Sequence, residues 1–487
     1  MFDSAVTQLR YAAGILRGRM NPAMLSRIAD DVVATVAEFG APGEDSALLP
    51  GQGAAADPEA AAAMLVRNLR RTAAYATAHT AYYQQVLAAS GIDASSLDPQ
   101  TWARVPVTPK AALRGMPSMF VSSRSAPVVL ATTTGTTGTP TRVWFSAGEV
   151  DALVAINTLA LCITEKLRPE HVMAHTSSSR GTMALLSVNE AVRRIGAGFL
   201  QIGTIEPALA LERLAAPLDL PRKAAQPTHL NGAASYLAAL VEAAEQGGWQ
   251  AADFGLLSVQ SGGEILTEAL TERIREVFGV ERISSNYMAT EIAPVGAGRC
   301  SQGHLHFPSE FGHVELLDPV TLQPAEPGGL ATVVATPFSF FRECTVLLRY
   351  VTADLVRLPV EAPTCEMAGI TASSDILGRY DGPVSLAAPA RSVLEVLEGD
   401  RGVPLPARYC LVDTAAGPLL HVVVRHNNAA ALSRLEERAA RLAPRLAGIV
   451  LHDDAEDLPS VVPVRADLRE RSFERGGRHT EPIGVGV

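Results

Sequence analysis

Lysine is scarce in this 487-residue sequence, which has three lysines (Lys110, Lys166 and Lys223) against 38 arginines. Cysteine is also rare. Five cysteines in so long a chain exclude a disulfide-stabilised scaffold and favour a reducing, cytoplasmic location. No apolar run approaches the roughly 20 residues that a membrane-spanning helix needs. Residues 1–20 contain an acid and no compact apolar block, so they predict a helix instead of a signal peptide.

The balance of charge excludes a general affinity for nucleic acid. The formal net charge is -10, whereas a nucleic-acid-binding protein presents a basic face. An acidic protein can still bind an anionic nucleotide, because binding requires only a local positive field. The composition, 47% hydrophobic and 19% charged, is typical of a soluble globular protein, and the length predicts two or three domains.

The first part of the chain is predicted to be helical. Residues 1–40 and 55–92 have apolar residues at helical spacing, and both lie in a helical N-terminal region over 1–125. This region could supply the surface of a homodimer.

Two further changes in pattern divide the rest of the chain. From residue 127 to about 380, helical and strand patterns alternate, which predicts an α/β fold with mostly parallel sheets. Within it, 312–358 predicts a β-rich, antiparallel subdomain. The pattern restarts after 380, so we expect a large domain over 1–380 and a small, mobile α+β domain over 381–487.

A loop rich in glycine and threonine, TTTGTTGTP at 132–140, follows a short β-branched run. Backbone N–H groups and threonine hydroxyls in such a loop can bind phosphate oxygens, although an ordinary turn has the same appearance. The lysine that follows the second glycine in the phosphate loop of kinases and GTPases is absent after Gly138.

The order of four downstream motifs indicates what this loop binds. They are SGGE at 261–264, NYMATE at 286–291, RYVTADL at 349–355 and GRYD at 378–381. In this order they resemble the adenylate-forming superfamily of acyl-CoA synthetases, adenylation domains and luciferases. The segments PVTPKAALRGMPSMF and AYYQQVLAASGID are most similar to its phenylacetate–CoA ligase branch. The resemblance covers roughly residues 60–385.

The resemblance implies an ATP site. The residues that would surround the β- and γ-phosphates are Thr133, Thr134, Gly135, Thr136, Thr137 and Gly138. The residues that would lie against or beside the adenine are Gly262, Gly263, Glu264, Asn286 and Tyr287.

Five further roles follow from the same resemblance. Thr290 would bond the α-phosphate, and Glu291 would hold Mg²⁺, a cation that prefers carboxylate oxygens. Asp354 would accept the ribose hydroxyls, and Arg379 would contact the ribose or the phosphates. Asp381 would be the hinge of the small domain.

A possible zinc site is also implied, because members of this branch often bind structural Zn²⁺ through cysteine and histidine. The candidate ligands are Cys300, His304 or His306, and Cys365. Met367 stands where a second cysteine is expected, so a former site that has become ordinary packing is the alternative. The other cysteines, in apolar runs, are predicted to lie in the core.

The acyl pocket is the least defined part of the sequence. Arg180, among small hydroxyl residues, could bind a carboxylate with two hydrogen bonds or be a surface arginine. Asn231 and Gly232 are expected to line the same pocket.

The main departure from the family pattern is a missing lysine. Relatives carry a catalytic lysine near the C-terminus, whereas this chain has none after Lys223 and offers only arginines there, among them Arg475 and Arg478, and His479. A smaller departure is Ala353, which replaces a glycine and matters only where φ is positive.

Three readings of the function remain open. The first is an ATP- and Mg²⁺-dependent ligase that activates a small, aromatic acid and passes it to CoA or another acceptor. The second is a CoA-independent variant that activates nitrite for an aryl amine or forms an amide. The third is a non-catalytic nucleotide-binding homologue. The Mg²⁺ acid, ribose acid and hinge together favour an enzyme.

Overall fold

The computed structural model describes residues 21–39, 58–133, 140–177 and 183–459. Within these ranges, no helix is both long and apolar enough to cross a membrane.

The described part of the N-terminal region is mainly helical, and residues 1–20 of the first predicted helix lie outside the described residues. Its helices are α1 (Pro22–Phe39), α2 (Pro58–His79), α3 (Ala81–Ala89), α4 (Pro99–Arg104) and α5 (Lys110–Gly115). The break between α2 and α3 is at Thr80, whose hydroxyl accepts a hydrogen bond from the backbone N–H of Tyr83 and so caps α3.

The predicted phosphate loop joins two strands of a hairpin. Strands β1 (Pro127–Thr132) and β2 (Arg142–Ser146) are antiparallel and form a separate two-stranded sheet. Helix α6 (Ala147–Ile163) begins directly after β2 with a capping box in which Ser146 and Glu149 bond each other's backbone N–H groups.

The centre of the molecule is an eight-stranded sheet. Its parallel part is built from β3 (Val172–His175), α7 (Met183–Ile195), β4 (Gly198–Gln201), α8 (Pro207–Ala215), β5 (His229–Gly232), α9 (Ala234–Gly247), β6 (Ser258–Gly262), α10 (Glu268–Phe278) and β7 (Arg282–Met288). Strands β8 (Gly296–Arg299), β9 (Leu305–His306) and β13 (Ala372–Ser373) continue it antiparallel, in the order β13-β9-β8-β7-β6-β5-β3-β4.

Helices cover both faces of the parallel part. On one face Leu230 and Val259 pack against Leu237 of α9. On the other face Met173 packs against Leu161 of α6 and Val192 of α7. Such a sheet places the ligand crevice at the carboxyl ends of its strands.

The β-rich region is antiparallel, as predicted. Its strands are β10 (Gly312–Leu317), β11 (Leu330–Pro337), β12 (Tyr350–Arg357) and β14 (Gly378–Arg379), in the order β10-β11-β12-β14.

The C-terminal part has its own hydrophobic core. It consists of α11 (Pro383–Ala387), α12 (Ala390–Glu398), β15 (Tyr409–Thr414), β16 (Gly417–Val423), α13 (Ala429–Leu442) and β17 (Gly448–His452). It contacts the parallel domain through Glu395, whose carboxylate accepts the backbone N–H groups of Glu268 and Ala269 at the start of α10, at 2.9 and 3.1 Å.

Candidate active site

A buried ion pair lies at the carboxyl end of the parallel sheet. Glu291, in the turn after β7, is 2% exposed. Its Oε1 lies 2.9 Å from Nζ of Lys110, the first residue of α5. The Tyr350 hydroxyl donates to the same oxygen at 3.3 Å. The site therefore contains one of the chain's three lysines, a residue to which the sequence analysis assigned no role.

Backbone pairing fixes the position of Lys110. Thr108 forms a parallel bridge with Tyr350, in which its N–H donates to Arg349 at 2.9 Å and its carbonyl accepts from Val351 at 3.0 Å. Two residues later α5 begins, so Lys110 extends from an element attached to β12. A lysine held in this way loses little conformational freedom when it binds an anion.

The electrostatics keep Glu291 ionised. Burial raises the pKa of its carboxyl, but the charge and hydrogen bond of Lys110 and the charge of Arg379 outweigh burial, so this pKa lies below its ordinary value. Glu291 thus has the charge that a metal ligand requires.

The second acid of the site, Asp354, is held at both of its carboxylate oxygens. Oδ2 accepts the Tyr287 hydroxyl at 2.8 Å, and Oδ1 lies 3.3 Å from Nε of Arg379, which is directly opposite in the β12–β14 register. Burial, and then the charge of Asp354, raise the pKa of Tyr287, which therefore stays protonated as a donor. Three predicted ATP-binding residues are thus in direct contact.

The backbone before Asp354 is strained. Ala353 has φ of +65°, in the left-handed region where glycine is preferred. Holding an alanine there costs about 1 kcal/mol. Replacement of the family's glycine by Ala353 therefore destabilises the backbone at this position.

Other predicted ATP-site residues lie around this network. Thr133 closes the base of the hairpin loop, since its N–H donates to the Thr141 carbonyl and its hydroxyl accepts the Thr141 N–H, both at 3.1 Å. Gly262 and Gly263 are exposed at the end of β6. Glu264 instead caps α9, accepting the Ser235 N–H at 2.7 Å.

The remaining predicted residues divide into three groups. Asn231 is half-buried and Gly232 is buried, both at the end of β5. Asn286 is exposed on β7, Thr290 is half-buried beside Glu291, and Asp381 is exposed just before α11. The predicted residues outside the described ranges are Thr134, Gly135, Thr136, Thr137, Gly138, Arg180, Arg475, Arg478 and His479.

The candidate metal ligands are brought together at the β8–β9 turn. The donor atoms of Cys300, His304 and His306 all lie within 4.8 Å of one another. Cys365 adds a fourth donor, with its Sγ 3.2 Å from Nε2 of His306. Both histidines therefore belong to the cluster, whereas the sequence offered them as alternatives.

Outer contacts orient this cluster. Nδ1 of His306 donates to the Ile370 carbonyl at 3.3 Å, which leaves Nε2 facing Cys365. Glu366 accepts the backbone N–H and hydroxyl of Ser301 at 2.8 and 2.6 Å and so ties the two ligand segments together. Cysteines 162, 344 and 410 are buried elsewhere, which confirms their prediction as core residues.

Comparison with known proteins identifies the family. The model of the AMP-binding enzyme family matches residues 53–331, and the chain belongs to this family. It is 25% identical over 326 residues to the phenylacetate-coenzyme A ligase of Thermus thermophilus, covering 66% of this chain and 70% of that protein. The protein is accordingly an adenylate-forming ligase similar to that branch.

Solved structures show the same fold. A 2-hydroxyisobutyryl-CoA ligase in the postadenylation state matches with a TM-score of 0.69 and 19% identity, covering 87% of this chain and 91% of that one. In its thioesterification state the TM-score is 0.59, with 20% identity and 91% and 93% coverage. The predicted α/β architecture is confirmed.

Proposed function

We propose that the protein activates a small, aromatic carboxylic acid with ATP and transfers the acyl group to CoA. The observation that supports this most strongly is the network of two acids, two cations and two tyrosines at the carboxyl end of the sheet. Lys110, Glu291 and Tyr350 form one half, and Asp354, Arg379 and Tyr287 form the other. Arg379 links the halves electrostatically because its charge also lowers the pKa of Glu291.

In the first step a carboxylate oxygen of the acid bonds to the α-phosphorus of ATP, and the bond to pyrophosphate breaks. Asp354 accepts hydrogen bonds from the ribose hydroxyls through the lone pairs that Tyr287 and Arg379 leave available, since a carboxylate can accept about four hydrogen bonds. The ionised Glu291 carboxylate is a suitable ligand for Mg²⁺, which when bound would offset negative charge on the phosphates.

Lys110 provides the lysine ammonium that the C-terminal sequence, which has arginines but no lysine, does not supply. Its side chain is 18% exposed and its ammonium is already held by a buried carboxylate, so it can stabilise charge that develops on the α-phosphate with little rearrangement. In the second step the thiolate of CoA attacks the acyl carbon and AMP leaves. Asp381, exposed between β14 and α11, would be the hinge of the small domain between the two steps.

The reaction is tested by pyrophosphate release with a panel of aryl acids and nitrite, each with CoA or an aryl amine. We expect release that needs an aryl acid and an acyl-CoA product that needs CoA. Pyrophosphate release that needs nitrite and an aryl amine but not CoA would instead support the CoA-independent variant that activates nitrite. No turnover with any acid, together with no binding of ATP, would refute an enzymatic function.

We also propose that Cys300, His304, His306 and Cys365 hold a structural Zn²⁺. Two thiolates and two imidazoles are a suitable tetrahedral set for zinc, and the fixed ring of His306 matches the outer-shell hydrogen bond that zinc-binding histidines make. Free thiols in such a site, as in the rest of the chain, fit the cytoplasmic location that we propose.

Metal analysis of the purified protein tests the zinc proposal. We expect about one zinc per chain, lost in Cys300→Ser and Cys365→Ser together with several degrees of thermal stability, because a bound metal stabilises the folded state. Cys410→Ala, at a buried cysteine of the separate C-terminal core, is the control and should keep its zinc. Wild-type protein without zinc after growth in zinc-supplemented medium would contradict the assignment.

A further inference from the structure

A row of uncharged polar side chains crosses one face of the parallel sheet near the carboxyl ends of its strands. His175 on β3 pairs with Asn231 on β5, Asn231 with Gln260 on β6, and Gln260 with Ser284 on β7. Residues paired in register point to the same face, here the one covered by α6 and α7. The face of a parallel sheet that packs against helices is ordinarily apolar. Polar side chains at four neighbouring positions on this face therefore require an explanation.

His175 is the least satisfied member of the row. It is 0% exposed, and among the described residues neither ring nitrogen has a partner at full hydrogen-bond geometry, although the Asn231 side chain lies close enough to act on the ring. Burial lowers its pKa to about 4, and the neighbouring Asn231 side chain only partly offsets this. At neutral pH the ring is therefore uncharged and offers one N–H donor and one acceptor. A buried polar atom without a well-aligned partner is destabilising, and a bound polar group that pairs with the ring would remove that penalty.

The neighbouring amides have the same uncharged character. The Asn231 amide nitrogen donates to Oε1 of Gln260 at 2.7 Å, and both side chains are only half-buried. The Gln260 amide nitrogen has no partner among the described residues. Ser284 is different, because its hydroxyl donates to the buried Glu165 at 2.6 Å. Hydrogen-bonding capacity is thus concentrated at His175, Asn231 and Gln260.

His175, Asn231 and Gln260 lie close to the predicted ATP site. Gly262 is two residues beyond Gln260 on the same face of β6 and pairs with Asn286. Two residues of a strand span roughly 7 Å. The ring of Phe199 on β4 lies 5.8 Å from that of His175, between ring centroids, so an aromatic side chain borders this end of the polar row. An acid whose carboxylate meets the α-phosphate at the strand ends would direct its other end toward the polar row.

We infer that the acid carries an uncharged hydrogen-bonding substituent, such as a hydroxyl or an amino group, at the end remote from its carboxylate, and that His175, Asn231 and Gln260 recognise it. The inference rests on the proposed acid-activating function. A site built to bond a polar group discriminates strongly against the analogue without that group, because its own buried groups then stay unpaired.

Matched acids that differ by one substituent test this inference. Benzoate is compared with 3-hydroxy-, 4-hydroxy- and 4-aminobenzoate, and phenylacetate with 4-hydroxyphenylacetate, by kcat/KM for pyrophosphate release at saturating ATP. We expect the best substituted acid to be preferred by at least ~100-fold over its parent. Gln260→Met and Asn231→Leu, which keep side-chain volume, should reduce this preference to about tenfold or less by removing hydrogen bonds worth ~1.4 kcal/mol or more.

The controls separate this inference from the function on which it rests. Gln84→Met makes the same chemical change at an exposed position on α3 and should leave the preference unchanged. Equal or better use of the unsubstituted acids, or an unchanged preference in both row variants, would overturn the inference alone.

Direct binding gives a second readout that does not depend on turnover. Non-hydrolysable acyl-sulfamoyl adenosines made from the same acids are compared by calorimetry, and we expect the hydroxylated or aminated member to bind at least ~100-fold more tightly than its parent. Equal affinities within each pair would overturn the inference. No turnover of any acid and no binding of any analogue would overturn the proposed function and the inference together.

Discussion

Lys110→Met should lower kcat/KM for pyrophosphate release by about 10²–10³, the effect expected when one preorganised electrostatic group is removed from a transition state. Methionine keeps the length and apolar stem of the side chain and removes only the charge. The loss should fall mainly on kcat, because the charge that Lys110 stabilises develops in the transition state. Steady-state kinetics at saturating acid and at saturating ATP measure both parameters.

The three lysines allow a matched control. Lys110→Arg keeps the charge but changes its shape, and because arginine does not reproduce the geometry of an ammonium it should recover only part of the loss. Lys166→Arg makes the same change at an exposed lysine and should leave the rate within a factor of two or so of wild type. Full activity in Lys110→Met would refute the role of this residue.

Stability has to be measured alongside the rate. Removing Lys110 leaves Glu291 buried without its ion-pair partner, and breaking a buried pair in this way costs about 3–5 kcal/mol. The double variant Lys110→Met/Glu291→Gln should recover part of that stability but none of the activity. Recovery of both would show that Lys110 acts only in folding.

Asp354→Asn should lower kcat/KM for ATP by about 10²–10³, since hydrogen bonds to a charged acceptor contribute ~1.5–3 kcal/mol each and a ribose has two hydroxyls to donate. The amide retains one oxygen and loses the negative charge that holds Arg379. The loss should appear chiefly as a higher KM for ATP, which initial rates over a range of ATP concentrations would show.

Deoxyribose analogues show whether the contact is direct. With the wild type, 2′-deoxy-ATP and 3′-deoxy-ATP should each be much poorer substrates than ATP. With Asp354→Asn the penalty for either analogue should largely disappear, because the partner of the missing hydroxyl is already gone. Asp413→Asn, at an exposed acid of β15, is the control. Equal penalties in wild type and Asp354→Asn would place the ribose elsewhere.

The sequence predicted most of the architecture because its elements carry strong local signals. The alternating segments after residue 127 and the antiparallel strands after 312 appear where their patterns indicate, whereas the domain boundary at 380 stays a prediction. Short-range patterns do not state which strands pair. The sequence therefore did not predict that β1 and β2 form a hairpin separate from the main sheet, or that β8, β9 and β13 extend that sheet antiparallel.

The site was predictable where chemistry follows a motif and not where it depends on distant packing. The sequence identified Asp354, Arg379 and Tyr287 as one site, and the structure brings them into contact. It missed Lys110 because the lysine was sought near the C-terminus, although a lone lysine in the family-like segment PVTPK was an available signal. It also missed the polar row, since His175, Asn231 and Gln260 meet only through strand register. The hinge and the dimer surface stay predictions.

The most direct test of the proposed chemistry is acid-dependent exchange of labelled pyrophosphate into ATP, measured without CoA in the wild type and in Lys110→Met. We expect exchange in the wild type that requires the acid and falls by about 10²–10³ in the variant. Such exchange requires reversible formation of an acyl adenylate. A fall in exchange in Lys110→Met would show that the positive charge of Lys110 contributes to this step. No exchange by the wild type with any acid, or equal exchange by the two proteins, would contradict the account.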